Sequence, residues 1–353
     1  MIRTLLVTLL VFVGTSELGS QSQPSHRDST QPKREAVEVH VEGAGATTIN
    51  PLLSAWIAEY TRLHPNIRVS YRPIGSGGGI RLLNSEKINF AAVDRLMPDD
   101  QIGHGIEGFL CLPVALHDVV PIYNLGQVTQ LKFSGTTLAD IFLGKITMWN
   151  DPAIRDDNPG LVLPQISIKV VHQFPRPNSP AGYVMAEYLS KVSPEFKAAF
   201  ANSSGAWPLA DIRYKGSEGA PSFVSHTPGS LAYAETDFAH QDGLAFGAVK
   251  NAAGEFVTPS HESLTAAAAS AISFVQSGTG NFRLSISNAS GKSAFPIVSF
   301  TYLLVRRDAS VNTNKALMDF VKWTLTDGQK LAAKLGYLSL PDDLLEAELK
   351  HVE

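Results

Sequence analysis

Three segments of the sequence place glycine or small hydroxyl residues where a helix is predicted to begin, a pattern that suits the binding of an anion. They are Ser76-Gly77-Gly78-Gly79, the segment Thr47-Thr48-Ile49-Asn50-Pro51 and the segment Asn178-Ser179-Pro180. The first turn of a helix has backbone N–H groups without partners, the helix dipole adds partial positive charge, and glycine lets an oxyanion approach the amides closely. The alternative interpretation is three ordinary capped or tightly packed turns that bind no ligand.

A predicted strand precedes each of these helix starts. The three strands cover residues 39–42, 67–75 and 166–171, and a fourth strand, residues 88–93, ends directly before Asp94. In open α/β sheets, ligands bind beyond the carboxyl ends of the strands. All three helix starts and Asp94 occupy such positions.

Hydrophobic periodicity predicts the elements that carry these residues. After Thr47-Thr48, Asn50 is expected to cap a helix with Pro51 at its first position, and Leu52, Trp56 and Tyr60 fall on one face at helical spacing. Short strand-like runs alternate with amphipathic segments through most of the sequence. This alternation predicts an α/β fold.

The composition is that of a folded protein without a nucleic-acid partner. The 353 residues are 44% hydrophobic and 18% charged, which excludes global disorder and provides enough chain for two lobes. The formal net charge is −4, and no cluster of Lys and Arg with interleaved aromatics is present. The ten histidines show no metal-ligand spacing, and the G-x-S-x-G and H-E-x-x-H motifs are absent from the sequence. We therefore expect no metal, no cofactor and no enzymatic activity.

The N-terminus has the features of a secretory signal. Arg3 precedes an apolar run over residues 5–13, which is too short to span a bilayer stably. We predict a signal peptide over residues 1–20 and a flexible leader over residues 21–36, with a retained anchor as the alternative. The single cysteine, Cys111, lies in an apolar stretch and is expected to be a buried, unreactive thiol.

Several longer motifs are distributed along the chain. They are Gly43-Ala44-Gly45-Ala46-Thr47, Gly75-Ser76-Gly77-Gly78-Gly79, Leu138-Ala139-Asp140-Ile141-Phe142-Leu143-Gly144-Lys145-Ile146, Asp151-Pro152-Ala153-Ile154, Asn158-Pro159-Gly160-Leu161, Pro228-Gly229-Ser230-Leu231-Ala232-Tyr233 and Leu335-Gly336-Tyr337-Leu338-Ser339-Leu340-Pro341. Together they resemble the motifs of the periplasmic phosphate-binding proteins of ABC-type phosphate importers, the PstS-like family. The resemblance extends from residue 39 to residue 345.

This resemblance implies a two-lobed α/β fold of the periplasmic-binding-protein type II, or Venus-flytrap, class with crossing hinge strands. Residues 37–114 together with 296–353 would form lobe 1, and residues 115–295 would form lobe 2. The resemblance also implies a secreted, monomeric solute-binding protein of the periplasm. Such a protein captures inorganic phosphate and hands it to an ABC permease in the inner membrane, without catalysis.

The resemblance also assigns roles to individual residues. By their positions in the matching motifs, Thr47, Thr48 and Ser76 would donate hydrogen bonds to phosphate, and Asp94 would accept one. A carboxylate repels an anion unless the anion carries a proton that it can donate, as hydrogenphosphate does at neutral pH and sulfate does not. Asp94 would therefore reject sulfate, because a buried charge would be left unpaired. The alternative is that Asp94 only caps the turn over residues 94–98.

The third segment departs from the family's pattern, in which Arg, Asp, Ser, Gly and Thr follow the strand. Arg176 is the candidate cation, Asn178 stands where the orienting Asp is expected, and Ser179 fits the serine. However, Pro180 has no N–H and Ala181 has no hydroxyl. The loss of two donors predicts an affinity lower by about one to four orders of magnitude, unless other groups replace them.

Two questions stay open on the sequence alone. Arg81, Arg95 and His172 are candidates to replace the lost donors, and the alternative is that each is a solvated surface residue. The altered segment also leaves open a ligand that is another oxyanion or a phosphorylated small molecule. A sensory or scaffold protein with weakened phosphate affinity is a further alternative, whereas a hydrolase has little support.

Overall fold

A computed structural model describes residues 38–94, 109–173, 180–203, 206–208, 212–214, 219–276, 282–306, 311–335 and 337–352. The helices in these ranges are α1 (Asn50–Leu63), α2 (Ser76–Asn84), α3 (Gly135–Phe142), α4 (Pro152–Asp157), α5 (Pro180–Val192), α6 (Pro194–Asn202), α7 (Gly219–His226), α8 (Thr236–Gln241), α9 (His261–Gln276), α10 (Val311–Thr324), α11 (Asp327–Lys334) and α12 (Asp342–Val352). The strands are β1 (Val39–Gly45), β2 (Ile67–Pro73), β3 (Phe90–Val93), β4 (Phe109–Asp118), β5 (Val120–Tyr123), β6 (Lys132–Phe133), β7 (Lys169–Gln173), β8 (Ile212–Tyr214), β9 (Ser230–Ala234), β10 (Ala245–Phe246), β11 (Ala248–Lys250), β12 (Phe256–Val257) and β13 (Val298–Arg306).

The strands form two larger sheets and one small sheet. The first sheet has the order β2-β1-β3-β13-β4, in which β1 is parallel to β2 and β3 while β13 is antiparallel to β3 and β4. The second sheet has the order β10-β5-β9-β7-β8, and the small sheet has the order β12-β11-β6. Helices α1, α2 and α10 pack against the first sheet, and α5 and α7 pack against the second. The predicted mixed α/β fold is confirmed.

The chain passes from the first sheet to the second at Val119, the single residue between β4 and β5. The N–H of Val119 donates to the carbonyl of Ile297 at 2.9 Å, directly before β13 leads the chain along the first sheet again. This hydrogen bond therefore ties the crossing at Val119 to the segment directly before β13. Helix α9 packs against α12 and β4. The lobe boundaries at residues 114/115 and 295/296 stay a prediction.

Helix α1 follows the predicted apolar face but begins differently. Its buried residues are Leu52, Leu53, Trp56 and Tyr60, and the indole N–H of Trp56 donates to the carbonyl of Gly328 at 2.7 Å. Asn50 was expected to be the cap, but it is the first helical residue, and the N-cap position is Ile49. Ile49 has no polar side chain, and no side-chain hydrogen bond caps this helix within the described residues. The N–H of Asn50 donates to the carbonyl of Thr47 and that of Leu53 to the carbonyl of Ile49. Because Pro51 has no N–H, few amides of this turn are left for a ligand.

Backbone geometry requires two glycines of the α2 segment. Gly75 precedes the helix with φ of 81°, a conformation that L side chains rarely adopt. Gly79 lies against β1, where a Cβ atom would be 2.5 Å from the carbonyl oxygen of Ala44 and 2.7 Å from the Cα of Gly45. These glycines let α2 pack directly on the strand, and this contact sets the position of Ser76 at the start of the helix.

A buried acid in α12 predicts how stability depends on pH. Glu348 is 0% exposed, and neither carboxylate oxygen has a hydrogen-bond partner among the described residues. Burial raises the pKa of Glu348 well above its usual range. Because the folded pKa is above the unfolded pKa, the folded state is most stable below the unfolded pKa and loses stability as the pH rises toward the folded pKa.

We expect Glu348→Gln to remove this loss, because a neutral amide has no charge to desolvate. Above the unfolded pKa of glutamate, the wild type should lose about 1.4 kcal/mol of unfolding free energy per pH unit relative to the variant. Urea unfolding at pH 5 and pH 8 measures this difference. The matched control is Glu346→Gln, an exposed position on the same helix, which should behave like the wild type. A parallel pH profile for wild type and Glu348→Gln would contradict the expectation.

Candidate functional site

Asp94 lies at the centre of a small hydrogen-bonded group at the carboxyl end of β3. Its side chain is 1% exposed, and its Oδ1 accepts hydrogen bonds from the hydroxyls of Thr48 at 2.7 Å and Thr301 at 2.9 Å. Its backbone N–H faces the Oγ of Ser76 at 3.4 Å. The other carboxylate oxygen, Oδ2, is buried and has no partner among the described residues. A buried acceptor without a donor is costly, so this oxygen is the group that a ligand with a hydrogen to donate would satisfy.

Sheet register explains how Thr301 reaches Asp94. Tyr302 of β13 pairs with Val93 of β3, so Thr301 lies beside Asp94 on the neighbouring strand. On the other side of β13 the pairing with β4 is irregular, because Thr301 pairs with Ala115 while Tyr302 pairs with Pro113. This irregularity is a bulge, a feature that re-aims nearby side chains.

Val114 is the extra residue of the bulge, and a buried glutamine binds its backbone carbonyl. The carbonyl of Val114 accepts a hydrogen bond from Gln329 Nε2 at 3.0 Å. The Oε1 atom of Gln329 accepts from the N–H of Leu340 at 3.1 Å. The carbonyl of the extra residue therefore has a hydrogen-bond partner inside the protein, which stabilises the bulge.

Two helix starts supply donors next to the Asp94 group. Helix α2 begins at Ser76, and helix α1 begins just after Thr47 and Thr48. The amides of Gly78 and Gly79 donate back to the carbonyl of Gly75. The preceding amides, those of Ser76 and Gly77, are the ones that a helix start offers to a ligand. The Ser76 hydroxyl accepts from Asp94 N–H, so its own hydrogen is available for donation.

A cavity of about 610 Å³ adjoins this group. Thr47, Thr48 and Thr301 line it on the side of the first sheet, and Glu235 and Phe238 line it from the start of α8, which follows β9 of the second sheet. Thr47 is exposed and Thr48 is half-buried. The cavity is thus the space in which a ligand can contact the threonines of the Asp94 group and residues of α8 at once.

Carboxyl groups also line the cavity, namely half-buried Asp118 at the end of β4 and buried Glu235 directly after β9. Burial raises the pKa of Asp118, although a hydrogen bond from Thr236 Oγ1 opposes this change. Burial also raises the pKa of Glu235, and its Oε1 lies 4.0 Å from His117 Nε2. The cavity therefore has acidic side chains besides that of the Asp94 group.

The structure brings together three of the four described residues that the motifs assign to the ligand. Thr48, Ser76 and Asp94 form one hydrogen-bonded group, and Thr47 lines the adjoining cavity. The remaining predicted residues, Arg176, Asn178 and Ser179, lie outside the described residues, as do Arg95 and the turn that Asp94 was alternatively expected to cap. Their roles stay predictions.

Two further residues differ from what the sequence suggested. Thr301 was missed, although a threonine inside the apolar run of residues 300–305 was a signal for a buried hydroxyl. His172 was considered a replacement donor or a solvated surface residue, and the second interpretation is wrong, because it is buried and stacks on Trp207 with ring centroids 5.0 Å apart. The third candidate, Arg81, is exposed.

In the described ranges, no group of three or more His, Cys, Asp and Glu side chains is arranged to hold a metal ion. None of the helices there has both the length and the hydrophobicity that a bilayer crossing requires.

The chain is similar in sequence to known binding proteins. A family model described as the PBP superfamily domain matches residues 20–328. The phosphate-binding protein PstS of Xylella fastidiosa is 37% identical over 337 residues, which cover 94% of this chain and 88% of that protein.

Two solved structures have a similar fold. A phosphate-binding protein from Stenotrophomonas maltophilia has a TM-score of 0.64 and 15% identity, with 88% of this chain and 93% of that chain covered. An ABC-type phosphate transport receptor from Vibrio cholerae has a TM-score of 0.59 and 14% identity, with 85% of this chain and 100% of that chain covered.

Proposed function

Because this chain belongs to the PstS family of phosphate-binding proteins, we propose that it captures inorganic phosphate and delivers it to an ABC importer. The observation that carries the proposal is the buried, unpartnered Oδ2 of Asp94 beside two helix starts without side-chain caps. Amides and hydroxyls there supply donors for phosphate oxygens, and Oδ2 accepts the hydrogen that hydrogenphosphate retains. Sulfate has no such hydrogen at neutral pH, so it would face a buried charge without a donor.

Binding and transport follow from the same arrangement. A ligand in the cavity contacts residues of the first sheet and of α8, and closure about the chain crossing at Val119 would exclude water from it. The chain acts by binding alone, with no bond made or broken. Arg176 supplies the cation, with Asn178 and Ser179 beside it, as the motif positions imply.

The partner and location follow from the family and the N-terminal sequence. The chain carries a signal-like apolar run at residues 5–13, which directs export to the periplasm. There it works as a monomer and hands phosphate to an ABC permease of the inner membrane. The similar Vibrio cholerae protein is described as an ABC-type phosphate transport receptor, which supports this role.

One observation favours a second candidate ligand. Pro180 is the first residue of α5 and has no N–H, and Ala181 has no hydroxyl, so two donors that the family uses are lacking here. The cavity of about 610 Å³ is within the range of about 300 to 1,000 Å³ that encloses whole organic molecules. Another oxyanion, a phosphorylated small molecule, or weak phosphate binding in a sensory or scaffold role are the alternatives.

Calorimetric titration of the purified exported chain with phosphate, sulfate, molybdate and glycerol phosphate tests the proposal. We expect phosphate to bind at least about 100-fold more tightly than sulfate at neutral pH, because only phosphate satisfies Oδ2 of Asp94. Tighter binding of glycerol phosphate would assign the site to phosphoesters. Absence of heat with phosphate would contradict the proposed function.

A further inference from the structure

We propose that Thr301 is a positioning residue that selects which oxygen of Asp94 meets the ligand, and thereby contributes to the preference for phosphate over sulfate. This inference rests on the proposed function. Thr301 lies 207 residues from Asp94 in sequence, and its hydroxyl donates to Oδ1 at 2.9 Å. It is 2% exposed and also lines the cavity.

The two threonine hydroxyls occupy one carboxylate oxygen and leave the other available. Thr48 and Thr301 both donate to Oδ1, so the two acceptor directions of that oxygen are used. Oδ2 is then the carboxylate oxygen without a donor among the described residues, and it lies behind two threonines that line the cavity. A carboxylate oxygen accepts hydrogen bonds and has none to donate. A ligand that pairs with Oδ2 must therefore bring its own hydrogen.

The two donors are not equivalent. Thr48 is half-buried in the turn before α1, at a position where its hydroxyl is able to donate to a ligand instead of Asp94. Thr301 is in β13, which lies between β3 and β4 in the first sheet, and its β-branched side chain has restricted rotation. Thr301 is thus the donor that keeps Oδ1 occupied when Thr48 turns to the ligand.

Without the Thr301 hydroxyl, Oδ1 has one donor fewer and the carboxylate is less restrained. It can then rotate, so that Oδ2 is no longer held in the position that accepts the ligand's hydrogen. This rotation reduces the discrimination between phosphate and sulfate while leaving the amides at the start of α2 in place. The expected signature is a change in the ratio of the two affinities.

The test compares Thr301→Val, which removes the hydroxyl and keeps the branched shape, with Thr301→Ser, which keeps the hydroxyl. Calorimetry with phosphate and with sulfate at neutral pH should give a phosphate-to-sulfate affinity ratio about tenfold lower for Thr301→Val, and within about threefold of the wild type for Thr301→Ser. The matched control is Ser299→Ala on the same strand, whose buried hydroxyl donates to the carbonyl of Phe300 and not to Asp94. Its ratio should equal that of the wild type.

Several outcomes would overturn the inference. An unchanged ratio in Thr301→Val, or equal weakening of both ligands with a lowered melting temperature, would leave Thr301 with only a structural role. A reduced ratio in Thr301→Ser would also contradict it. If Thr301→Val does not fold, Thr301→Ala is measured with the same expectation. If the wild type does not bind phosphate, both the proposed function and this inference are refuted. If the wild type and Thr301→Val both prefer phosphate over sulfate to the same extent, only this inference is refuted.

Discussion

Asp94→Asn is expected to lose most of the preference for phosphate over sulfate. The amide oxygen of Asn can still accept from Thr48 and Thr301, and this fixes the NH2 group at the position of Oδ2. The NH2 group donates where the carboxylate accepts, so it can hydrogen-bond to a ligand oxygen that carries no hydrogen. We expect the affinity ratio to fall from at least about 100-fold to less than about tenfold, mainly because sulfate binds more tightly. Calorimetric titration with both anions measures the change.

Asp118→Asn is the control that distinguishes acceptance of the ligand's hydrogen by Asp94 from a general effect of negative charge. Asp118 lines the cavity and accepts from Thr236, but it is not part of the Asp94 group. Asp118→Asn should therefore change the affinities of phosphate and sulfate by similar factors and leave their ratio near that of the wild type. An equal loss of selectivity in both variants would mean that overall charge determines the preference. An unchanged ratio in Asp94→Asn would refute the role of Asp94.

Gly79→Ala is expected to destabilise the protein and weaken binding together. The added Cβ would lie 2.5 Å from the carbonyl oxygen of Ala44, a backbone atom that cannot move aside without moving β1. Helix α2 must shift, and Ser76 at its start shifts with it. We expect a loss of about 1 to 3 kcal/mol in the free energy of unfolding, measured with urea, and a phosphate affinity at least about tenfold lower.

Gly77 provides the control in the same helix. It is exposed, and a Cβ there would have Nη1 of Arg81 as its nearest neighbour at 3.6 Å, an ordinary contact. Because Ala has a higher helix propensity than Gly, Gly77→Ala should be as stable as the wild type or more stable by up to about 1 kcal/mol. Stability of Gly79→Ala equal to that of Gly77→Ala would show that α2 does not depend on close contact with β1.

Local sequence features were sufficient to predict the elements that carry the site. Strand β3 ends where an apolar run meets Asp94, and α2 begins where glycine follows an extended segment. Each of these features is decided by residues close together in sequence, through hydrophobic periodicity and turn preferences. The capping role expected of Asn50 was wrong, because Ile49 has the capping position and Asn50 is already helical.

The contact between Asp94 and Thr301 could not be predicted from local sequence, for a physical reason. Thr301 reaches Asp94 because β13 inserts between β3 and β4, and no local pattern reports the order of strands in a sheet. The bulge opposite Thr301 adds a shift in register that hydrophobic alternation does not encode. Likewise, Asp118 and Glu235 meet the same cavity only because two different strands end there. Pairing across long separations determines each of these contacts.

The placement of β13 has a consequence for the order in which the protein matures. More than 200 residues are translated between Asp94 and Thr301, and the first sheet lacks its strand between β3 and β4 until that late segment arrives. Contacts of such long range form slowly, and unfinished sheets expose unpaired edges. The contact between Asp94 and Thr301 is therefore complete only after β13 has joined the first sheet.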